Sequence, residues 1–216
     1  VYQSASTAGK ALSALGAAGS FGIGMTVKAA ADFEKAMSRV GALANATNDQ
    51  MADLTKTARH LGATTQYTDG QVAEGMQYLA MAGYKTNQII GAMPGLLATA
   101  AAGQTDLGVT ADIVSDILTE FHIKAEDTNR VADAMAYTFT NSNATLQEIG
   151  QTMKYAAPAA KTAGLSMEEL AAATGIMANS GIKADMAGTA LRATLTRLSS
   201  PPKQAGNAID ELGLKV

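Results

Sequence analysis

The chain has 216 residues, a formal charge of −3 and an isoelectric point near 5.4. Acidic and basic residues are mixed along it with no basic stripe, which argues against electrostatic nucleic-acid binding. Cysteine is absent, so disulfides and thiolate metal sites are excluded.

Apolar residues make up 47%, with eleven Met, no Trp and only 5% aromatics. About a fifth of the residues are alanine, so the composition predicts helices packed closely through small and flexible side chains. The chain opens Val1-Tyr2-Gln3, and an excerpt of a longer polypeptide is the expected reading. No charged region precedes a cleavable apolar core, so no secretory signal is expected.

Residues 1–31 read as an Ala/Gly-rich helical unit, and residues 32–216 as a helical domain. Ala11 to Val27 carries no charge, yet it is shorter than the about 20 apolar residues of a spanning helix. Gly16, Ser20 and Gly24 recur every fourth residue, the spacing that lets helices approach closely. With Phe21, Ile23 and Met25 they are the candidates for self-association or membrane contact. Gly19–Gly24 lacks the Gly-Lys-Ser/Thr ending of a phosphate loop.

Residues 28–46 predict a helix with Ala30, Phe33, Met37, Val40 and Leu43 on one face. A second spans about Asp49–Leu61 and stops at Gly62, and an extended loop follows through Thr68. Thr68-x-x-Gln71 and Ser166-x-x-Glu169 match the capping box. Each opens a helix ending in a Gly–apolar corner, Gly83-Tyr84-Lys85 or Gly181-Ile182-Lys183, where Gly takes the left-handed conformation. Box, helix and corner recurring together fit either an internal duplication or a common local solution.

After the first corner, Asn87–Ala102 should bend at Pro94. Asp106–Phe121 is strongly amphipathic, with Ile113, Val114, Ile117, Leu118 and Phe121 inward. Glu126–Thr140 follows, then Thr145–Ala163 with a kink at Pro158 and a further corner at Gly164-Leu165. Ala184–Leu198 should bury Leu191, Leu195 and Leu198 and stop at Pro201-Pro202, before a short helix near Lys203–Leu212. Together these predict an all-α fold, a compact domain of eight to ten helices joined by Gly-ended corners and short loops.

Catalytic patterns are lacking. His60 and His122 stand without partners at metal-ligand spacing. Asp112, Asp116 and Glu120 align on one helix and read as its solvated face. Glu148, Glu168 and Glu169 are the only carboxylates that invite a two-acid hydrolase argument. No catalytic, metal or cofactor residue is assigned.

Four stretches carry a resemblance. They are D-F-E-K-A-M-S-R-V-G-A-L (Asp32–Leu43), L-G-A-T-T-Q-Y-T (Leu61–Thr68), A-E-G-M-Q-Y-L-A-M-A-G-Y-K-T-N-Q-I (Ala73–Ile89) and S-G-I-K-A-D-M-A-G-T-A-L-R (Ser180–Arg192). With M-K-Y-A-A-P-A-A (Met153–Ala160) they resemble the core region of phage tail tape measure proteins, through about Ala31–Leu214. The resemblance implies a structural, non-enzymatic protein of the virion tail, in the tube lumen or tip, with a cytoplasmic stage in the host during assembly. It implies roles in tail length, tail assembly and genome ejection. Implied partners are further copies of the chain (a trimer is one arrangement), the tail tube protein, tail-tip or baseplate hub proteins and tail assembly chaperones. A transient contact with the host membrane is a further expectation, and sequence-specific nucleic-acid binding is not expected. The competing readings are a membrane-active segment used in DNA delivery and a cell-wall hydrolase domain.

Overall fold

A computed structural model describes residues 28–211 and 213. Among these no strand occurs, and ten helices account for the fold. Helix α1 covers residues 28–44. Then come α2 (Asn48–Thr64), α3 (Asp69–Met81), α4 (Thr86–Gly103), α5 (Leu107–Phe121), α6 (Thr128–Thr140), α7 (Leu146–Thr162), α8 (Met167–Asn179), α9 (Ala184–Ser199) and α10 (Lys203–Glu211). A single 3-10 turn, Ala125–Asp127, leads into α6.

The helices are punctuated by hydrogen bonding at both ends. The two boxes read from the sequence are formed, at Thr68/Gln71 and Ser166/Glu169. Two more, Thr47/Gln50 and Thr145/Glu148, open α2 and α7. At the other end one corner recurs. Its residue at positive φ is Asn45, Gly83, Gln104, His122, Gly164 or Gly181. The next residue along in each case (Ala46, Tyr84, Thr105, Ile123, Leu165, Ile182) donates its N–H to the carbonyl five residues back. This 6→1 closure satisfies a carbonyl that the helix leaves unpaired and turns the chain sharply into the next helix.

Corners of one kind produce a regular packing. Helices α3, α5, α7 and α9 lie side by side in one row, α4, α6 and α8 in a second, and α2 packs on α3 and α4. N-caps in the first row fall at Thr68, Asp106, Thr145 and Lys183, at intervals of 38, 39 and 38 residues. Such a two-helix period is that of helical repeat arrays, in which each unit buries its apolar face against its neighbours.

The internal duplication expected from Gly83 and Gly181 is therefore not the period of the fold. Their helices, α3 and α8, sit in different rows, and the shared box and corner are a common local solution.

The interior is one apolar cluster running between the rows. Met76, Met93, Met135, Met153 and Met167 are among its largest fully buried side chains. Unbranched Met fits the uneven gaps left between Ala-rich helices. Buried threonines meet their hydrogen-bonding needs within their own helix: the hydroxyls of Thr110, Thr138, Thr152 and Thr174 donate to the carbonyl four residues back.

Several expectations need correction. Gly62 does not stop α2, which continues to Thr64. A Cβ on Gly62 would come within 2.6 Å of the Asp69 backbone nitrogen, so glycine is there to let α3 start close beside α2. On α1, Phe33, Met37 and Val40 are buried, but Ala30 and Leu43 are exposed and Ala44 takes the inward place. On α9, Leu195 is buried and Leu198 is 55% exposed, because among the described residues no helix covers that side of its last turn.

Gly83 and Gly181 can be separated from packing, since a Cβ at either would meet nothing within 4 Å. Gly83→Ala and Gly181→Ala should each cost about 1 kcal/mol, the penalty of a Cβ in the left-handed region. Gln104→Gly and His122→Gly, at the same kind of corner, should be neutral to stabilising. Urea midpoints of the four variants check this ordering, and equal losses in all four would refute it.

Candidate functional site

The most distinctive motif, Ser180–Arg192, forms the seam between α7 and α9. Gly181 turns the chain at φ +82°, and Lys183 places its Nζ 3.5 Å from Glu148 Oε2. Ala184 begins α9 at φ +50°, and its carbonyl accepts a 3.1 Å hydrogen bond from Thr152 Oγ1. Asp185 Oδ1 accepts from Gln151 Nε2 at 2.6 Å. Gly188 then faces Thr152 and Tyr155 so closely that a Cβ would stand 2.7 Å from Tyr155 Cβ and 3.0 Å from Thr152 O. Gly181, Lys183, Ala184, Asp185 and Gly188 are thus accounted for by holding one helix on another.

The upstream motif Ala73–Ile89 behaves alike where α3 turns into α4. Tyr84 is buried with its hydroxyl 3.4 Å from Thr128 Oγ1, and loss of hydration pushes that phenol above its ordinary pKa. Gln88 accepts from the Lys85 N–H and donates to Glu126 Oε1. That last bond holds the Glu126 carboxyl below the ordinary range.

The candidate acids are likewise committed to structure. Glu148 accepts from the Thr145 N–H, and this bond, with Lys183 nearby, lowers its pKa. Glu168 pairs with Arg130 Nε at 2.6 Å, which lowers the Glu168 pKa and raises that of Arg130. Glu169 accepts from the Ser166 N–H. A general acid needs its pKa raised; Glu148 and Glu168 are shifted the opposite way.

Asp112, Asp116 and Glu120 are not a plain solvated face. They line a groove between α5 and α7 opposite Gln147, Gln151 and Lys154, with Lys154 Nζ 3.8 Å from Asp116 Oδ2. His122 is a corner residue whose ring meets Lys161 Nζ, and His60 is exposed. Among the described residues no group of three His, Asp or Glu could hold a metal ion. No helix among them is long and apolar enough to cross a membrane. The self-association candidates Gly16, Ser20, Phe21, Ile23, Gly24 and Met25 lie outside the described residues.

Sequence reasoning missed the cross-helix pairs. Gln88–Glu126, Arg130–Glu168 and Asp116–Lys154 are each 38 residues apart. Complementary polar residues recurring at that spacing are the signal that would have exposed the repeat.

Residues 55–216 match the family described as phage-related minor tail protein. The chain is 39% identical over 189 residues to a tape measure protein of Pneumococcus phage Dp-1, which covers 88% of this chain and 16% of that protein. It is 32% identical over 186 residues to a probable tape measure protein of Escherichia phage P2, covering 85% of this chain and 23% of that protein. The chain thus spans less than a quarter of the length of these relatives. No solved structure matches it.

Two measurements test the seam. Gly188→Ala should wedge α9 from α7 and cost about 1–3 kcal/mol, as overpacking does. Gly91→Ala, in an exposed helix position where a Cβ meets nothing, should instead stabilise by about 0.5–1 kcal/mol. A Gly188→Ala variant as stable as the parent would disprove the close approach.

The second measurement is acid stability. Glu148 and Glu168 have lowered pKa values in the fold, so the unfolded chain takes up their protons first as pH falls. Their contribution is full above the ordinary glutamate value of about 4.3 and is lost as pH falls through the folded values. Glu148→Gln and Glu168→Gln should therefore flatten the fall in urea midpoint between about pH 5 and pH 3. An unchanged acid limb in both variants would remove these groups as its cause.

Proposed function

This chain belongs to the phage-related minor tail protein family, and from that membership we infer that it does the work of the matching region of a tape measure protein. The observation that carries the reading is the identity over 88% of the chain with the tape measure protein of phage Dp-1. The family match over residues 55–216 includes the seam-forming motif, in which Lys183, Asp185 and Gly188 hold α9 on α7.

The role is structural. Its place is the virion tail, in the tube lumen or at the tip, with a stage in the host cytoplasm while tails assemble. It serves tail length determination, tail assembly and genome ejection. The tail tube protein, tail-tip or hub proteins and assembly chaperones are the partners this role requires. The carboxylates of the hydrolase alternative are occupied as helix caps and inter-helix pairs, which supports a non-enzymatic part.

The array has a property suited to this work. Its helices are short and Ala-rich and draw their stability chiefly from packing on neighbours. A chain of this kind can be held folded, or opened unit by unit, without covalent change.

The test is excision of one repeat, residues 106–144, in the phage that encodes the chain, with tail lengths measured by electron microscopy. Tails should lose their uniform length or fail to form. A segment read as one continuous helix would shorten the tail by about 58 Å, at 1.5 Å per residue; a segment read folded would shorten it far less. Tails of unchanged length, number and infectivity would overturn the assignment.

A further inference from the structure

Two successive joints in the second row of helices are built differently. From α4 to α6, side chains bridge the joint at intervals: Gln88 to Glu126, Asn129 to the Gly91 carbonyl and Thr99 to the Ala132 carbonyl. Gly95 lies so close to α6 that a Cβ there would stand 2.2 Å from Asn129 Oδ1. One period of 39 residues beyond Gly95 and Thr99 come Ala134 and Thr138. Here the Thr138 hydroxyl donates to the Ala134 carbonyl of its own helix. Among the described residues, hydrogen bonds join α6 and its corner to α8 only at the two ends. These are Arg130 Nε to Glu168 Oε1, and the Asn143 N–H to Asn179 Oδ1 at 2.7 Å.

Between those end clasps lies an open groove of about 470 Å³. Small residues line it, namely Ala134, Ala171, Ala172 and Gly175, while Tyr137 and Ile176 flank it and are 72% and 69% exposed. Its single charged lining residue, Glu168, is already paired with Arg130. At the opposite end Asn141, Ser142 and Asn179 converge. Among the described residues Ser142 Oγ is the one buried side-chain nitrogen or oxygen without a hydrogen-bond partner. Such an atom costs stability until it is paired. An apolar groove between helices with a few polar atoms gathered at one end has the make-up of a binding site.

We propose that the α6–α8 groove is a socket for a tyrosine side chain presented by a partner protein. The chemistry of the groove eliminates the other side chains. A charged one would lose its water among alanines with no free counter-charge. Leucine or phenylalanine would fill the apolar part and leave Ser142 Oγ unpaired. Serine or threonine would satisfy that oxygen and leave the groove empty. An indole carries its N–H on the flank of the ring and cannot present it end-on. A phenol is a rigid apolar slab with a hydroxyl at its tip, able to donate to Ser142 Oγ or accept from it. Tyrosine is also a residue on which interfaces are commonly anchored, since fixing it costs little conformational entropy.

The experiment is a titration of the full chain followed by backbone amide NMR. The probes are p-cresol, which is the tyrosine side chain as a free molecule, and toluene, the same body without the hydroxyl. p-Cresol should saturate with a Kd that is roughly millimolar, the range of so small a ligand, and shift the amides of residues 141–143 and 171–179. Toluene should bind about 3–10-fold more weakly, the loss of one hydrogen bond. Ser142→Ala should remove that difference. Ala172→Leu, at an exposed position of the groove, should block both probes with helix content and melting midpoint retained. Ala98→Leu, on the exposed side of α4, should bind like the parent. No saturable shifts, equal affinities for the two probes, or binding indifferent to Ala172→Leu would each overturn the socket.

The source of the tyrosine is read in assembled tails carrying p-benzoylphenylalanine in place of Ile176. Irradiation should cross-link the chain to a tyrosine-bearing segment of another tail protein. A link to a second copy of this chain, or no link at all, overturns a different protein as the occupant. This arm rests on the tail placement proposed above. Tails that lack the chain would refute that placement, while the titration still decides the socket.

Discussion

The fold depends on how its helices end. A helix leaves its last carbonyls without partners, and at six ends this chain satisfies one of them through a residue at positive φ and a hydrogen bond five residues back. That closure spans only a few residues and reverses the chain within them. It thereby obliges the next helix to start beside the one just finished. Repeating a single corner after helices of similar length gives helices that alternate between two rows, and the 38-residue period follows without any long connection.

Close approach is the second constraint, and it explains the composition. Within the first row, each successive helix brings a glycine to its neighbour: Gly108 to Tyr78, Gly150 to Ile113, Gly188 to Thr152 and Tyr155. With backbones this near, hydroxyls reach across: Thr99 bonds the Ala132 carbonyl and Thr152 the Ala184 carbonyl. Alanine keeps the remaining interface shallow and methionine fills what is uneven. A core built this way spreads its stability over many modest contacts, so it is weaker per unit of length than one of large branched and aromatic side chains.

The motifs that resemble tape measure proteins lie at these same joints. Ser180–Arg192 forms the α7–α9 seam, and Ala73–Ile89 forms the corner and cap that set α4 against α6. Residues that catch the eye as a family signature are commonly read as a binding site. Here each has a packing role: a positive φ at Gly181, a carbonyl at Ala184 taken by a threonine, an acid at Asp185 taken by a glutamine. In this chain these motifs build the geometry of a joint.

Much was legible in the sequence alone. Capping boxes, Gly-ended corners and 3.6-residue periodicity are local, so α3, α5, α7, α8 and α9 could be placed within a residue or two, and the all-α class followed from them. The resemblance to tape measure proteins was readable for the same reason, since residue identity and order suffice for it. The end of α2 was not readable, because Gly62 is required by its distance to Asp69 in the next helix, and a sequence carries no distances. Leu43 and Leu198 were placed inward by periodicity, but only the presence or absence of a neighbouring helix decides burial. The repeat itself was hidden because it conserves positions relative to an N-cap rather than residue types: Gly75, Ile113, Thr152 and Ala190 occupy one place in four units. Local hydrogen bonding was written in the chain; which faces meet was decided only when the helices packed.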